Sequence, residues 1–218
     1  MFNSKDAENL GEGSFIPKTI QPGDIKAKVL DISLEVPAYD ANVYNLVLTL
    51  ETEPIEDEKF EGFFIDKDVP EMGRHQGQTG KVNASPFSFG DFTAKDGTVL
   101  TKGQSLFRWI SFFAKELGVS EKMAEAGVSG ETIEDYLENA KPYLISPTRY
   151  IHFCIAGSEY ENKQGYMQYR LFLPKPEKGK TVYAVEPSAK LTVFNPLVHI
   201  RKKKAAEPVN SFEGKDSK

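Results

Sequence analysis

The chain has a single cysteine, Cys154, so it forms no internal disulfide and needs no oxidising compartment. Its three histidines, at 75, 152 and 199, are too scattered for zinc-ligand spacing, and no Ser, His and acid or Cys and His grouping assembles around them. No apolar run approaches the roughly 20 residues that cross a bilayer, and the opening MFNSKDAENLGEG has no apolar stretch to act as a signal peptide. A P-loop is missing as well. The Gly-rich stretch at 77–92 contains Lys81 but not two glycines five apart followed by Lys-Ser or Lys-Thr. The acids Glu51, Glu53, Glu56, Asp57, Glu58 and Glu61 sit in a Pro-containing connection and read as a solvated loop rather than a magnesium site. These absences argue against an enzyme, a bound metal, a cofactor or a membrane protein, and the expected location is the cytoplasm.

What the chain does have is an uneven charge. Its 218 residues carry a net −5, yet residues 141–204 hold twelve Lys or Arg against four acids, a local +8. Residues 1–140 carry −12. A local excess of this size holds phosphates even on an acidic protein, because ligands respond to the nearby field. Tyr143, Tyr150, Phe153, Tyr160, Tyr166, Tyr169, Phe172, Tyr183 and Phe194 lie among those cations. Cations for a backbone and rings for bases are the two parts that a single-strand binder needs.

Periodicity sets out the organisation. Residues 1–22 read as a flexible arm, 23–200 as one elaborated domain, and 201–218 as a basic and then polar disordered tail. Two antiparallel strands are expected at 25–36 and 43–51, with Leu46, Leu48 and Leu50 facing the core, and a third near 60–65. Lys81 to Phe92 resumes an extended pattern, and Asp96-Gly97 signals a tight turn. From about 103 to 142 the period becomes helical: Leu106, Trp109, Ile110, Phe113 and Leu117 share a face before Gly118. Ser120 and Ser129 are the expected N-caps of two more helices, the second stopped by Pro142. Strands return at 149–157 and 166–174 as a hairpin turned by ENKQG, followed by a weaker pair at 182–185 and 190–194. Strands, a helical insertion, then strands is the order of an OB-fold-like Greek-key barrel, mainly β; the rival is a mixed α+β sheet.

Alternation places Ile151, Phe153 and Ile155 inward, and predicts one exposed platform made of Tyr150, His152, Tyr166, Arg170 and Phe172. Bases would stack there. Arg149, Lys26 and Lys28 extend the cationic path, and Arg201, Lys202, Lys203 and Lys204 end it.

On VYNLVLTLE (43–51), FEGFFIDKD (60–68), GQTGKV with its Phe-rich continuation (77–92), LFRWISFFAKELG (106–118) and YRLFLPK (169–175), the chain resembles the single-stranded DNA-binding proteins of tailed bacteriophages, including crAss-like phages. The resemblance implies an OB-like fold and sequence-tolerant binding of single-stranded DNA. It also implies a role in phage DNA replication or recombination, with phage replication proteins as further partners. Many such proteins end in an acidic tail, whereas residues 207–218 here hold three acids and two lysines. The competing expectations are a phage structural or assembly protein, whose rings form a protein interface, and a single-strand annealing or recombination mediator.

Overall fold

The computed structural model describes residues 19–56, 74–75, 77–93 and 96–202. The expected strand at 60–65, most of the arm, and Lys203 and Lys204 with the tail lie outside the described residues. The architecture is mixed, mostly strands in one large sheet with a few helices. Along the chain come β1 (Gly23–Glu35), β2 (Asn45–Thr52), the short pair β3 (Ile55–Glu56) and β4 (Arg74–His75), and β5 (Thr79–Asn83). Next are β6 (Phe92–Thr93) and β7 (Val99–Leu100), then the helices α1 (Lys102–Glu116), α2 (Ser120–Glu125) and α3 (Ile133–Leu144). β8 (Ser146–Glu161), β9 (Met167–Phe172), β10 (Tyr183–Ala184), α4 (Pro196–His199) and β11 (Ile200–Arg201) complete the order.

The main sheet runs β1-β2-β5-β9-β8-β10, and β8 also pairs with β1. Most pairings are antiparallel; β5 meets β9 in parallel at Asn83 and Phe172, and β11 meets β8 in parallel. The inward faces follow the alternation expected of half-buried strands. Leu46, Leu48 and Leu50 of β2 and Ile151, Phe153 and Ile155 of β8 are all buried. Gly157 of β8 has no side chain for a packing reason. A β-carbon there would lie 2.6 Å from Pro22 Cγ and 3.0 Å from Tyr169 Cδ1.

The helical segment packs on this core through Leu106, Ile110, Phe113 and Ala114 of α1 and Leu137, Ala140 and Leu144 of α3. Thr101 and Gln104 form a capping box at the start of α1. At its end Gly118 takes φ +69°, donating to Lys115 while Val119 donates to Ala114, which is the Schellman arrangement. Two expectations for the helices fail. Thr132, with Asp135, caps α3, while the Ser129 carbonyl instead accepts from Asn139, and the N-cap of α2 is Val119, with no side-chain cap, Ser120 being its first residue. Pro142 does not stop α3, because in the last turn it removes one backbone donor and the helix runs on to Leu144.

The two hairpin turns form as read. Gly97 takes φ +83° between β6 and β7, and at the β8–β9 turn Asn162 Oδ1 accepts from the N–H groups of Gln164 and Tyr166 with Gly165 at φ +84°. The expected late strand pair does not form as a hairpin. β10 pairs with β8, and only a single parallel bridge joins Thr181 to Leu191.

Tyr183 is a hub between sheet and helices: its ring meets Phe113 edge-on at 4.8 Å, Trp109 at 5.8 Å and Phe153 at 6.4 Å. Phe113→Ala therefore opens a cavity in the joint between the layers and should cost about 3–5 kcal/mol. Urea denaturation measures it; a loss below about 1 kcal/mol would contradict this packing.

Candidate nucleic-acid interface

Of the five residues expected to form one platform, Tyr150, His152, Arg170 and Phe172 share a sheet face, but the five divide into three places. β9 pairs with the far end of β8, Phe172 opposite Ala156 and Arg170 opposite Ser158. Tyr150 and His152 lie at the other end of β8, where His152 is opposite Lys26 of β1 and Ala184 of β10. Four residues of strand, roughly 13 Å, separate His152 from Ala156. Between them the outer face is covered, not open. Cys154 and Ala156 are buried, with Cys154 Sγ 3.8 Å from His199 Nδ1. The strap that carries His199 is held by Asp24, whose carboxylate accepts from the Phe194 N–H at 3.0 Å. Tyr166 stands apart at the hairpin tip, 67% exposed, beside an open groove of about 620 Å³ shared with Tyr160, Gln168 and Lys81.

The expected cations separate in the same way. Lys26 pairs with Glu53 at 2.5 Å and Lys28 with Glu51 at 3.8 Å, both lysines lying over the Tyr150 ring. Arg149 donates to the Leu117 carbonyl at 3.3 Å, at the C-terminal end of α1 where a cation complements the helix dipole. Lys81 is tied to Glu35 at 2.7 Å, which raises the lysine's pKa through that hydrogen bond first and the charge of Glu35 second. Along this side the acids of β1 and β2 already answer the lysines.

On the other side the cations are unanswered. Arg170, Lys175, Arg201 and Lys202 hold no ion pair among the described residues. Ser158 is the register partner of both Arg170 on β9 and Arg201 on β11, so the two arginines flank one position of β8. With strands about 4.8 Å apart their Cα atoms lie roughly 10 Å from each other. The small residues Ala156 and Ser158 let the Arg201 side chain cross β8. Its guanidinium lies 4.8 Å from the Phe172 ring centre and 5.3 Å from that of Phe87. Phe172 is consequently only 5% exposed and offers no open stacking surface, whereas Phe87 is 71% exposed. The structure thus joins Phe172, Arg170 and Arg201, and leaves Tyr150, His152, Tyr166, Arg149, Lys26 and Lys28 elsewhere.

Next to this stack is an apolar cavity of about 310 Å³, lined by Phe87, Phe89, Trp109, Phe112 and Tyr183 among others, with Lys175 at its edge. Sequence reading places Trp109 on the core face of α1 and does not use Phe112. The signal that was available is LFRWISFFAKELG itself: Phe107 and Phe112 fall off the core stripe, and Phe112 is 46% exposed. Among the described residues no group of three or more His, Cys, Asp or Glu is placed to hold a metal ion, and no helix is long and apolar enough to cross a membrane.

Compared with protein-family models, with curated proteins and with solved structures, the chain matches none of them.

Burial raises the Cys154 thiol from its ordinary 9.0 to about 12, with the nearby Asp24 carboxylate adding to it, and burial also raises the Tyr183 phenol. For both groups the folded pKa lies above the unfolded one, so their contribution to stability is complete below about pH 9 and is lost as pH rises toward 12. The urea midpoint should fall between pH 8 and 11, and fall less in Cys154→Ala. Equal slopes in the two proteins would show that the thiol does not take part.

Proposed function

We propose that this protein is an OB-like Greek-key barrel that binds single-stranded DNA without reading its sequence. Its role would be to coat and organise exposed strands during phage DNA replication or recombination. The strand order supports the barrel reading. β1-β2-β5-β9-β8 returns to β1; in chain order the third and fifth of these strands, β5 and β9, are parallel, and the helices fall between the third and the fourth, β5 and β8. A five-stranded Greek-key plan with a helix before its fourth strand would give this order. The phage resemblance read from the sequence points the same way and would add phage replication proteins as partners.

The observation that carries the proposal is the Arg201 guanidinium spread over Phe87 and Phe172 beside Arg170, all without a carboxylate partner among the described residues. A guanidinium on a ring keeps its donors free for phosphate, and Phe87, the exposed ring of the pair, keeps surface available to a base. The contacts are to backbone and to π-faces, which every nucleotide has, so the binding tolerates any sequence. No step of bond making is involved. The role is that of a binder rather than a catalyst.

Fluorescence polarisation with a labelled mixed-sequence oligonucleotide tests the assignment. Arg201→Ala should weaken binding about tenfold, the ~1.4 kcal/mol expected for one phosphate contact and its stacked cation. Lys26→Ala and Lys28→Ala should stay within about twofold, since each lysine already has a glutamate. An Arg201→Ala protein that binds like the unmodified chain would remove the interface from this side of the sheet.

A further inference from the structure

We infer that the aromatic cavity beside Arg201 takes one nucleobase out of the bound strand, so that Trp109 reports the occupancy of the site. This rests on the single-strand reading above and names a second, deeper contact within it. The cavity is small. Its 310 Å³ stands at the low end of the roughly 300–1,000 Å³ typical of small-molecule sites, room for one base with its sugar but not for a run of chain. Its wall is apolar and ring-rich, built from Phe89, Trp109, Phe112 and Tyr183. The deep part is rigid: Trp109 stacks on Phe113 at 5.0 Å, and Tyr183 packs against both Trp109 and Phe112.

Charge complementarity selects the occupant. An apolar side chain of a protein would fill such a slot without needing cations at its mouth. Here Lys175 stands at the rim and Arg201 lies over Phe87, a residue of the same wall, at 5.3 Å. A flat uncharged base joined to a phosphate has both features, apolar faces for the rings and an anion for the rim. The predominantly apolar lining places few hydrogen-bond partners around the base edge, so the slot accepts any base and adds affinity without adding sequence preference.

The chain has one tryptophan, Trp109, so its emission follows this cavity alone. The full chain is titrated with a mixed-sequence single strand and, separately, with an abasic strand of the same length, following the polarisation of a label on the strand and the Trp109 emission together. The base-bearing strand should change Trp109 emission with the same midpoint as polarisation, while the abasic strand should bind more weakly and leave the emission unchanged. Phe112→Ala, at a half-exposed position, should weaken the base-bearing strand about five- to thirtyfold and the abasic strand hardly at all. Polarisation that reports binding while Trp109 is silent and Phe112→Ala binds normally would overturn the base slot and leave the single-strand reading standing. Absence of binding in polarisation would overturn both.

Discussion

The pairing of β8 on both of its edges is the constraint from which the other features follow. Its 16 residues give their first part to β1 and their last part to β9, and β10 and β11 attach at His152 to Phe153 and at Gly157 to Ser158. Ile151, Phe153 and Ile155 secure the inner side of that strand in the core, which fixes the outer side as well, because a slip of one residue would exchange the two. With the register fixed, Ser158 has an arginine on each side and Ala156 has Phe172 opposite. The absence of bulk at Ala156 and Ser158 is then what allows Arg201 to lie across the strand.

Local pattern was legible; long-range pairing was not. Leu46, Leu48 and Leu50, the Leu106 to Leu117 stripe, Gly118 and the Asn162 to Gly165 turn are all consequences of spacing within a dozen residues, and each is where periodicity and turn chemistry put it. The platform failed because a face is not a place. Alternation correctly gives Tyr150, His152, Arg170 and Phe172 one side of the sheet, yet the hairpin register pairs Phe172 with Ala156 rather than with the residues near Tyr150. Nor does spacing announce that residues 192–199 come back over Cys154, since that depends on Asp24 reaching Phe194, 170 positions away in the chain. Phe112, an exposed ring beside the cavity, was visible only as a departure from the core stripe of α1.

Counting charges along the chain does not show which cations already have an acid beside them. Segment 141–204 is basic overall, whereas Lys26, Lys28 and Lys81, outside it, each have a glutamate within ion-pair distance and so contribute little field. Glu35, Glu51 and Glu53 thus pair with the lysines on one side of the sheet, while Arg170, Arg201 and Lys202 on the β9 and β11 side have no ion pair among the described residues. Steering depends on that local difference rather than on the net −5.

The central claim is that unpaired DNA, held by phosphate contacts and ring contacts together, is the ligand of the β9 and β11 side. Its most direct test is the affinity for one mixed sequence, single-stranded and as a duplex, measured over a series of salt concentrations. The account predicts a clear preference for the single strand at every salt concentration, with log affinity falling by about 0.7 per contacted phosphate for each tenfold rise in salt. Equal affinity for both forms, or an affinity for the single strand that does not respond to salt, would contradict it.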